Sequence, residues 1–284
     1  MFDYAAKVVR EAEVFVITAG AGMGVDSGLP DFRGDTGFWN AYPAYSRLGL
    51  SFSDCANPQH FAQDPSFGWG FYGHRTNLYR DTVPHAGFHI IKKWIERQGV
   101  DYFVVTSNVD GQFQKADYAD DRILEVHGSI HWLQCQKPCC SSIWQNDEVV
   151  LIDEHTMRAR HTLPRCPECG EVSRPNILMF GDWSWLPDRT RIQEHAFDLF
   201  LKANSDRRIV VIEMGAGSAI PTIRATSERI GWNFKNATVI RINPREPEIK
   251  EPHLSLAYGA LEGLLEIDEL LLPCSQKSHG GLPA

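Results

Sequence analysis

The stretch VFVITAGAGMGVDSGLPDFRG (residues 14–34) decides how the chain is read. Val14 to Thr18 is a short apolar run of the kind buried on both faces in a parallel sheet. Small residues follow at once: Gly20, Ala21 and Gly22 let backbone N–H groups approach a pyrophosphate, and a helix N-terminus there adds a favourable dipole. The dinucleotide-binding spacing G-x-G-x-x-G fits only loosely, through Gly20, Gly22 and a displaced Gly24 or Gly28. The continuation GLPDFRG says more. It sets an acid, an aromatic ring and a cation side by side, which a plain turn does not require. A nucleotide site would use Asp31 as an acceptor, Phe32 to cover a sugar or ring, and Arg33 against phosphate charge.

Working outward, residues 3–12 read as an amphipathic helix with Asp3 as its cap, and HAGFHIIKKWIERQG as a helix opened by Pro84 and closed by Gly99. Strands are expected at 102–106, 123–127, 208–214 and 238–243, with helices at 189–203, near 221–230 and at 261–271. Strands alternating with helices predict an α/β fold, a Rossmann-like parallel sheet with helices on both faces. Two stretches break the alternation. Residues 35–84 are aromatic-rich with weak periodicity and read as a helical or irregular insert; residues 131–178 carry most of the cysteines and read as a small inserted module. The sheet domain is then discontinuous, over 1–34, 85–130 and 179–272, with a disordered tail at 273–284.

At 284 residues, 43% hydrophobic and 23% charged, the composition is that of a globular chain. A formal charge of −8 offers no basic face for nucleic acid. Charges at Asp3, Lys7, Arg10, Glu11 and Glu13 interrupt any apolar signal core, and no run of 18 apolar residues occurs. A cytoplasmic chain without a membrane partner is expected.

In such a reducing compartment, five cysteines within 35 residues point to metal ligation rather than disulfides. Cys166-x-x-Cys169 followed by Gly170 is a zinc-knuckle spacing. Its partner pair is Cys135 with either Cys139 or Cys140, and the spacing does not choose. The set is taken as Cys135, Cys140, Cys166 and Cys169, a closed four-thiolate and therefore structural Zn2+ site. His131, His155 and His161 are the alternative ligands, and Cys55 and Cys274 read as free thiols.

The loop GAGMGVDSGLPDFRG (20–34) resembles the signature loop of the sirtuins, the NAD-dependent protein deacylases. TSNVDGQF (106–113), EVHGS (125–129), RPNILMFG (174–181) and IRIN (240–243) resemble further sirtuin segments in family order, over residues 14–262. The resemblance implies NAD as co-substrate, an acyl-lysine peptide or protein as partner, and acyl transfer to ADP-ribose with release of nicotinamide. It makes His127 the base acting on a ribose hydroxyl, and Asn108 the residue orienting the nicotinamide ribose or a water. It further implies Asp110 as acceptor from the nicotinamide carboxamide, Gly215 and Ser218 beside the phosphates, Asn243 on the adenosine ribose, and Ser107 and Leu261 as further cofactor contacts. It also lays the substrate peptide along Phe180 to Trp183, where Trp183 and Trp185 shape specificity. Several positions depart from the pattern: Ser107 stands where the family commonly carries Gln, Gly24 replaces a Ser, and Phe113 a His. These changes leave NAD use expected and the acceptor open. They suggest an atypical, bacterial-type member, with ADP-ribosyl transfer or NAD hydrolysis as a second reading and a non-catalytic NAD or ADP-ribose sensor as a third.

Overall fold

The computed structural model describes residues 1–30, 34–160 and 162–272. Asp31, Phe32, Arg33, His161, Cys274 and the tail at 273–284 lie outside the described residues. The larger sheet has six strands: β1 (Val14–Ala19), β2 (Asp101–Thr106), β3 (Ile123–Glu125), β9 (Ile209–Met214), β10 (Thr238–Ile242) and β11 (Leu254–Leu256). Their order is β11-β10-β9-β1-β2-β3, and every pairing is parallel. All six residues of β1 and of β9 are buried, which is why the sequence shows continuous apolar runs there.

Period-2 alternation splits these strands between two cores. Phe15 and Ile17 pack with α1 (Phe2–Arg10), α7 (Ala86–Gln98) and α11 (Ala260–Leu271) through Val9, Trp94 and Leu264. Val14 and Val16 face α9 (Asp188–Ala203) and α10 (Thr222–Asn233) through Phe197 and Ile223. The sheet is thus covered on both faces, as expected. At the ends of elements the sequence reading needed adjustment. Asp3 lies in the first turn of α1, whose cap position is Met1, and β3 stops two residues short of His127. Strand β11, only three residues long at the sheet edge, was not anticipated.

Residues 34–81 form five helices: α2 (Gly34–Ala41), α3 (Pro43–Arg47), α4 (Phe52–Cys55), α5 (Gln59–Gln63) and α6 (Pro65–Asp81). Ten of the 17 residues of α6 are buried, so its burial is spread around the helix and no single apolar stripe marks it. The cysteine segment holds an antiparallel sheet of β4 (Gly128–Cys135), β5 (Ile143–Gln145) and β8 (Ser173–Ile177), with a hairpin of β6 (Leu151–Asp153) and β7 (Arg158–Arg160). The two stretches share one core, in which Phe71 and Tyr72 of α6 meet Val150, Met157, Leu133 and Ile177. Contact along this seam is close: a Cβ on Gly70 would lie 2.0 Å from the Met157 carbonyl oxygen. No helix among the described residues is long and apolar enough to cross a membrane.

Candidate active site

The chain runs from β1 to β2 and β3 on one side, then to β9, β10 and β11 on the other. The reversal lies between β1 and β9, where ligands bind beyond the carboxyl ends of parallel strands. Two glycine turns meet there. Gly20 N–H donates to the Met214 carbonyl and Gly22 N–H to the Gly215 carbonyl, both at 3.0 Å. A Cβ on Gly20 would lie 2.8 Å from Ala216 Cα. Gly215 has φ +61°, and a Cβ on it would lie 2.4 Å from backbone atoms of Gly22. The two loops interlock as bare backbone, so Gly215→Ala is expected to prise them apart. Nucleotide binding, read by calorimetry with ADP-ribose, should fall by about tenfold or more, as backbone displacement near 1 Å does at such sites.

A cavity of about 600 Å³ opens over this junction. Gly20, Ala21, Ser107, Asn108, Asp110, His127, Gly215 and Ser218, each expected from the sequence, all line it. Gly22, Asn243 and Leu261 do not line it. Gly22 is engaged in the backbone lock just described. Asn243 is buried, and its side chain donates to the Ala216 carbonyl at 2.7 Å and accepts from the Arg245 and Glu246 amides. Leu261 sits in the first turn of α11, where its amide donates to the Asp26 carboxylate at 2.9 Å.

The turn after β2 is fixed by short-range bonds. Thr106 Oγ1 accepts from the Asn108 amide at 3.0 Å, and Asn108 Nδ2 donates to the Gly20 carbonyl at 3.1 Å, tying the second strand's loop to the first. Asp110 is buried and accepts from the Gln112 amide at 3.0 Å. Desolvation, with the Glu125 carboxylate as a smaller contribution, pushes its carboxyl up to about 6. His127 follows β3. Its carbonyl accepts from Leu178 N–H at 3.0 Å, and the next residue, Gly128, has φ +75° with no room for a Cβ beside the Asn176 carbonyl. Burial lowers the imidazole pKa, partly opposed by a hydrogen bond to the Ser107 backbone, so the ring is neutral and able to accept a proton near neutrality.

One wall of the cavity escaped the sequence reading. Tyr72, Arg75 and Tyr79 line it from α6, at the i, i+3, i+7 spacing of one helix face. Arg75 is buried, donates through Nε and Nη2 to Tyr79 Oη at 3.1 and 2.7 Å, and lies 5.2 Å from the Phe71 ring centroid. Because burial is spread around α6, no local pattern in the sequence marked Arg75. Arg245 and Glu246 also line the cavity and were not anticipated.

Apart from this cavity, four sulfurs converge. The Sγ atoms of Cys135, Cys139, Cys166 and Cys169 all lie within 4.8 Å of one another. Cys135 and Cys169 are 3.7 Å apart and Cys139 and Cys166 3.6 Å. The expected member Cys140 is therefore replaced by Cys139. Both knuckles are turns at strand ends, and the turn after β4 brings its fourth residue, not its fifth, back over Cys135; the Cys140 sulfur touches that of Cys139 at 3.7 Å but joins no such group among the described residues. His131 and His155 are not part of the cluster.

Residues 20–202 match the model of the Sir2 family. The NAD-dependent protein deacylase of Pyrococcus abyssi is 30% identical over 86% of this chain and 87% of its own length. That of Aeropyrum pernix is 29% identical over 84% of each chain. A Sir2 homologue solved with NAD aligns with a TM-score of 0.68 at 25% identity, covering 94% of this chain and 93% of that one. The two deacylases named are archaeal, so the expectation of a bacterial-type member finds no support in them. The family signature loop, the turn after β2 and the histidine after β3 meet around one cavity here, and with the match over residues 20–202 the chain belongs to the Sir2 family.

Proposed function

We propose that this chain is an NAD-dependent protein-lysine deacylase, moving the acyl group of an acyl-lysine to ADP-ribose as nicotinamide leaves. The observation that carries the reading is the convergence of His127, Asn108 and Asp110 with the Gly20 and Gly215 backbones on a single cavity. Bound NAD supplies an electrophilic ribose carbon once its nicotinamide bond breaks. The chain's own groups do the rest. Backbone at Gly20, Ala21, Gly215 and Ser218 holds the diphosphate without bringing side-chain bulk near it; roles for Asp31, Phe32 and Arg33 rest on the sequence and its family resemblance alone. Ionised Asp110 accepts from the carboxamide and fixes the nicotinamide, while Asn108 orients the ribose. Neutral His127 takes the ribose hydroxyl proton as the acyl group transfers. Retention of His127 in the cavity favours this reading over ADP-ribosyl transfer or hydrolysis, neither of which needs that base. The test is nicotinamide release from NAD with and without a panel of acyl-lysine peptides. Peptide-dependent release with deacylated product is expected; release independent of peptide would transfer the chain to the second reading.

Two titrations give this site a pH profile. Below about pH 6 Asp110 takes up a proton and loses its acceptor role, and His127, its pKa lowered by burial, also becomes charged as the pH falls. Activity, as kcat/KM for NAD, is expected to be flat above neutrality and to fall as pH drops through about 6. The same raised carboxyl carries a stability cost. A group whose folded pKa exceeds its unfolded value favours folding only while protonated, so its benefit disappears as pH rises from the ordinary value of 3.8 through about 6. Asp110→Asn is thus expected to abolish most activity yet raise stability at pH 8 by on the order of 2–3 kcal/mol, read from chemical denaturation.

The four-sulfur cluster fits Zn2+. Four Zn–S bonds of about 2.3 Å at tetrahedral angles put sulfurs about 3.8 Å apart, against 3.6 and 3.7 Å here. Cys135, Cys139, Cys166 and Cys169 would hold the ion in a closed shell that tethers β4 to β8 and takes no part in the chemistry. The substrate is a peptide or protein segment bearing an acylated lysine, laid beside residues 178–183. On this reading the chain divides into a discontinuous NAD-binding part and a smaller part built from 35–84 and 131–178 together.

A further inference from the structure

The segment that follows β8 poses a physical problem. Leu178 and Phe180, which line the cavity, are substantially exposed, and Trp183 is 99% exposed. Burial of these three side chains is therefore not what holds the segment; between them Met179 is buried in the shared core, and Phe180 N–H donates to the Ala56 carbonyl at 3.1 Å. Exposed apolar surface lining a cavity is the kind that marks an interaction site, and a further anchor lies underneath it.

That anchor is polar and fully enclosed. Arg174 and Asp182 form an ion pair at 2.8 Å, with both side chains 0% exposed. Arg174 Nη2 donates to Asp182 Oδ1 at 2.9 Å and to Ser184 Oγ at 3.3 Å. The Asp182 carboxylate also accepts from the Ser184 amide at 3.0 Å and the Met179 amide at 3.4 Å, closing the loop upon itself. A second clamp lies beside the first. Asn176 Nδ2 donates to Gln134 Oε1 and to the Leu186 carbonyl, each at 2.9 Å, and Gln134 Nε2 donates to the Ser184 carbonyl at 2.7 Å. At its near end the loop is bonded to the base itself, since Leu178 N–H donates to the His127 carbonyl. A buried ion pair often adds little net stability over an apolar filling, and in some proteins its use is to fix a defined geometry.

We propose that Arg174 and Asp182 are positioning residues that hold Leu178–Trp183 as a preformed face for the acyl-lysine peptide, in register with His127. Neither residue touches substrate; each acts through the loop. The proposal rests on the deacylase reading, and the test separates the two. Fluorescein-labelled dodecapeptides carrying acetyl-, butyryl- or succinyl-lysine are titrated by anisotropy into the zinc-loaded full chain saturated with ADP-ribose, with ADP-ribose affinity measured alongside by calorimetry.

For Asp182→Asn, peptide binding is expected to weaken by about tenfold or more, the scale on which loss of a preorganised contact is felt. In turnover the loss should appear in KM for peptide, with KM for NAD and affinity for ADP-ribose unchanged. Because this substitution leaves Arg174 charged and buried without its counter-ion, the double variant Arg174→Met/Asp182→Asn removes both charges and carries the same expectation if the single variant does not fold. Asp182→Glu, which keeps the charge, is expected to recover part of the peptide affinity. Wild-type binding that the variants share unchanged overturns the positioning role. Parallel loss of peptide and ADP-ribose affinity also overturns it, by reducing the pair to general structure. Failure of the wild type to bind any peptide overturns the deacylase reading on which the proposal stands.

Discussion

His127→Ala is expected to lower acyl-dependent turnover by about 10²–10⁴-fold, the usual contribution of a positioned general base, while leaving ADP-ribose affinity within about twofold of wild type. The argument is geometric. The imidazole lines the cavity two residues beyond β3, burial lowers its pKa and keeps it neutral, and a hydrogen bond to the Ser107 backbone holds one ring edge. Asp110, which also lines the cavity, is raised only to about 6 and is ionised at neutral pH, where the proposed reaction uses it as an acceptor. The backbone on either side is held independently of the ring, by the Leu178 amide and by Gly128, so truncation should not move the strand. Steady-state kinetics on the peptide panel, paired with ADP-ribose calorimetry, reads both quantities. Equal loss of binding and turnover would mean that the ring is structural.

If the four thiolates hold the proposed Zn2+, its removal is expected to have the larger effect on folding. Structural zinc sites contribute about 10–16 kcal/mol of apparent binding energy, comparable with the whole stability of a typical domain, about 5–15 kcal/mol. Cys135 ends β4 with Cys139 in the turn after it, and Cys166 and Cys169 lie just before β8, so an ion held by the four would close a loop that includes β5, β6 and β7. The shared core of α6 with Val150 and Met157 sits on that loop. Chelation should therefore abolish peptide binding and lower Tm, with the near-ultraviolet signal of the Trp69 and Trp144 environment lost first. The cysteine variants distinguish the ligands. Cys139→Ser is expected to reduce bound zinc well below one ion per chain, and Cys140→Ser to leave it unchanged, as read by elemental analysis of purified protein.

The order of those two cysteines shows where sequence reasoning stops. Cys135, Cys166 and Cys169 follow from spacing alone, since two thiolates three apart share one turn. Choosing between neighbours 139 and 140 depends on how the turn after β4 is wound, which no local pattern encodes. The central sheet was legible because β1 and β9 are buried on both faces and read as unbroken apolar runs. Strand β11 was not, because three residues at an edge carry no period. Asn108, Asp110 and His127 were assigned by family likeness rather than by any local pattern, and all three line the cavity. Leu261 was assigned by the same likeness; it does not line the cavity, and its amide donates to the Asp26 carboxylate at 2.9 Å. The α6 wall was hidden because a helix buried around its circumference has no polar face against which Arg75 would stand out.

The position of β1 has a consequence for synthesis. It pairs on one side with β2, beginning at Asp101, and on the other with β9, beginning at Ile209. Made early, it keeps one edge bare until nearly 200 residues later in the chain. During that interval VFVIT is an open, uncharged template for pairing with other chains. Native contacts of such long sequence separation also slow folding. The nucleotide pocket needs Gly20 against Gly215, so it is assembled only when this late strand docks. A nascent chain stalled before residue 209 would thus combine two liabilities, no site and an adhesive edge, and ribosome-bound intermediates of this protein are where a chaperone has most to do.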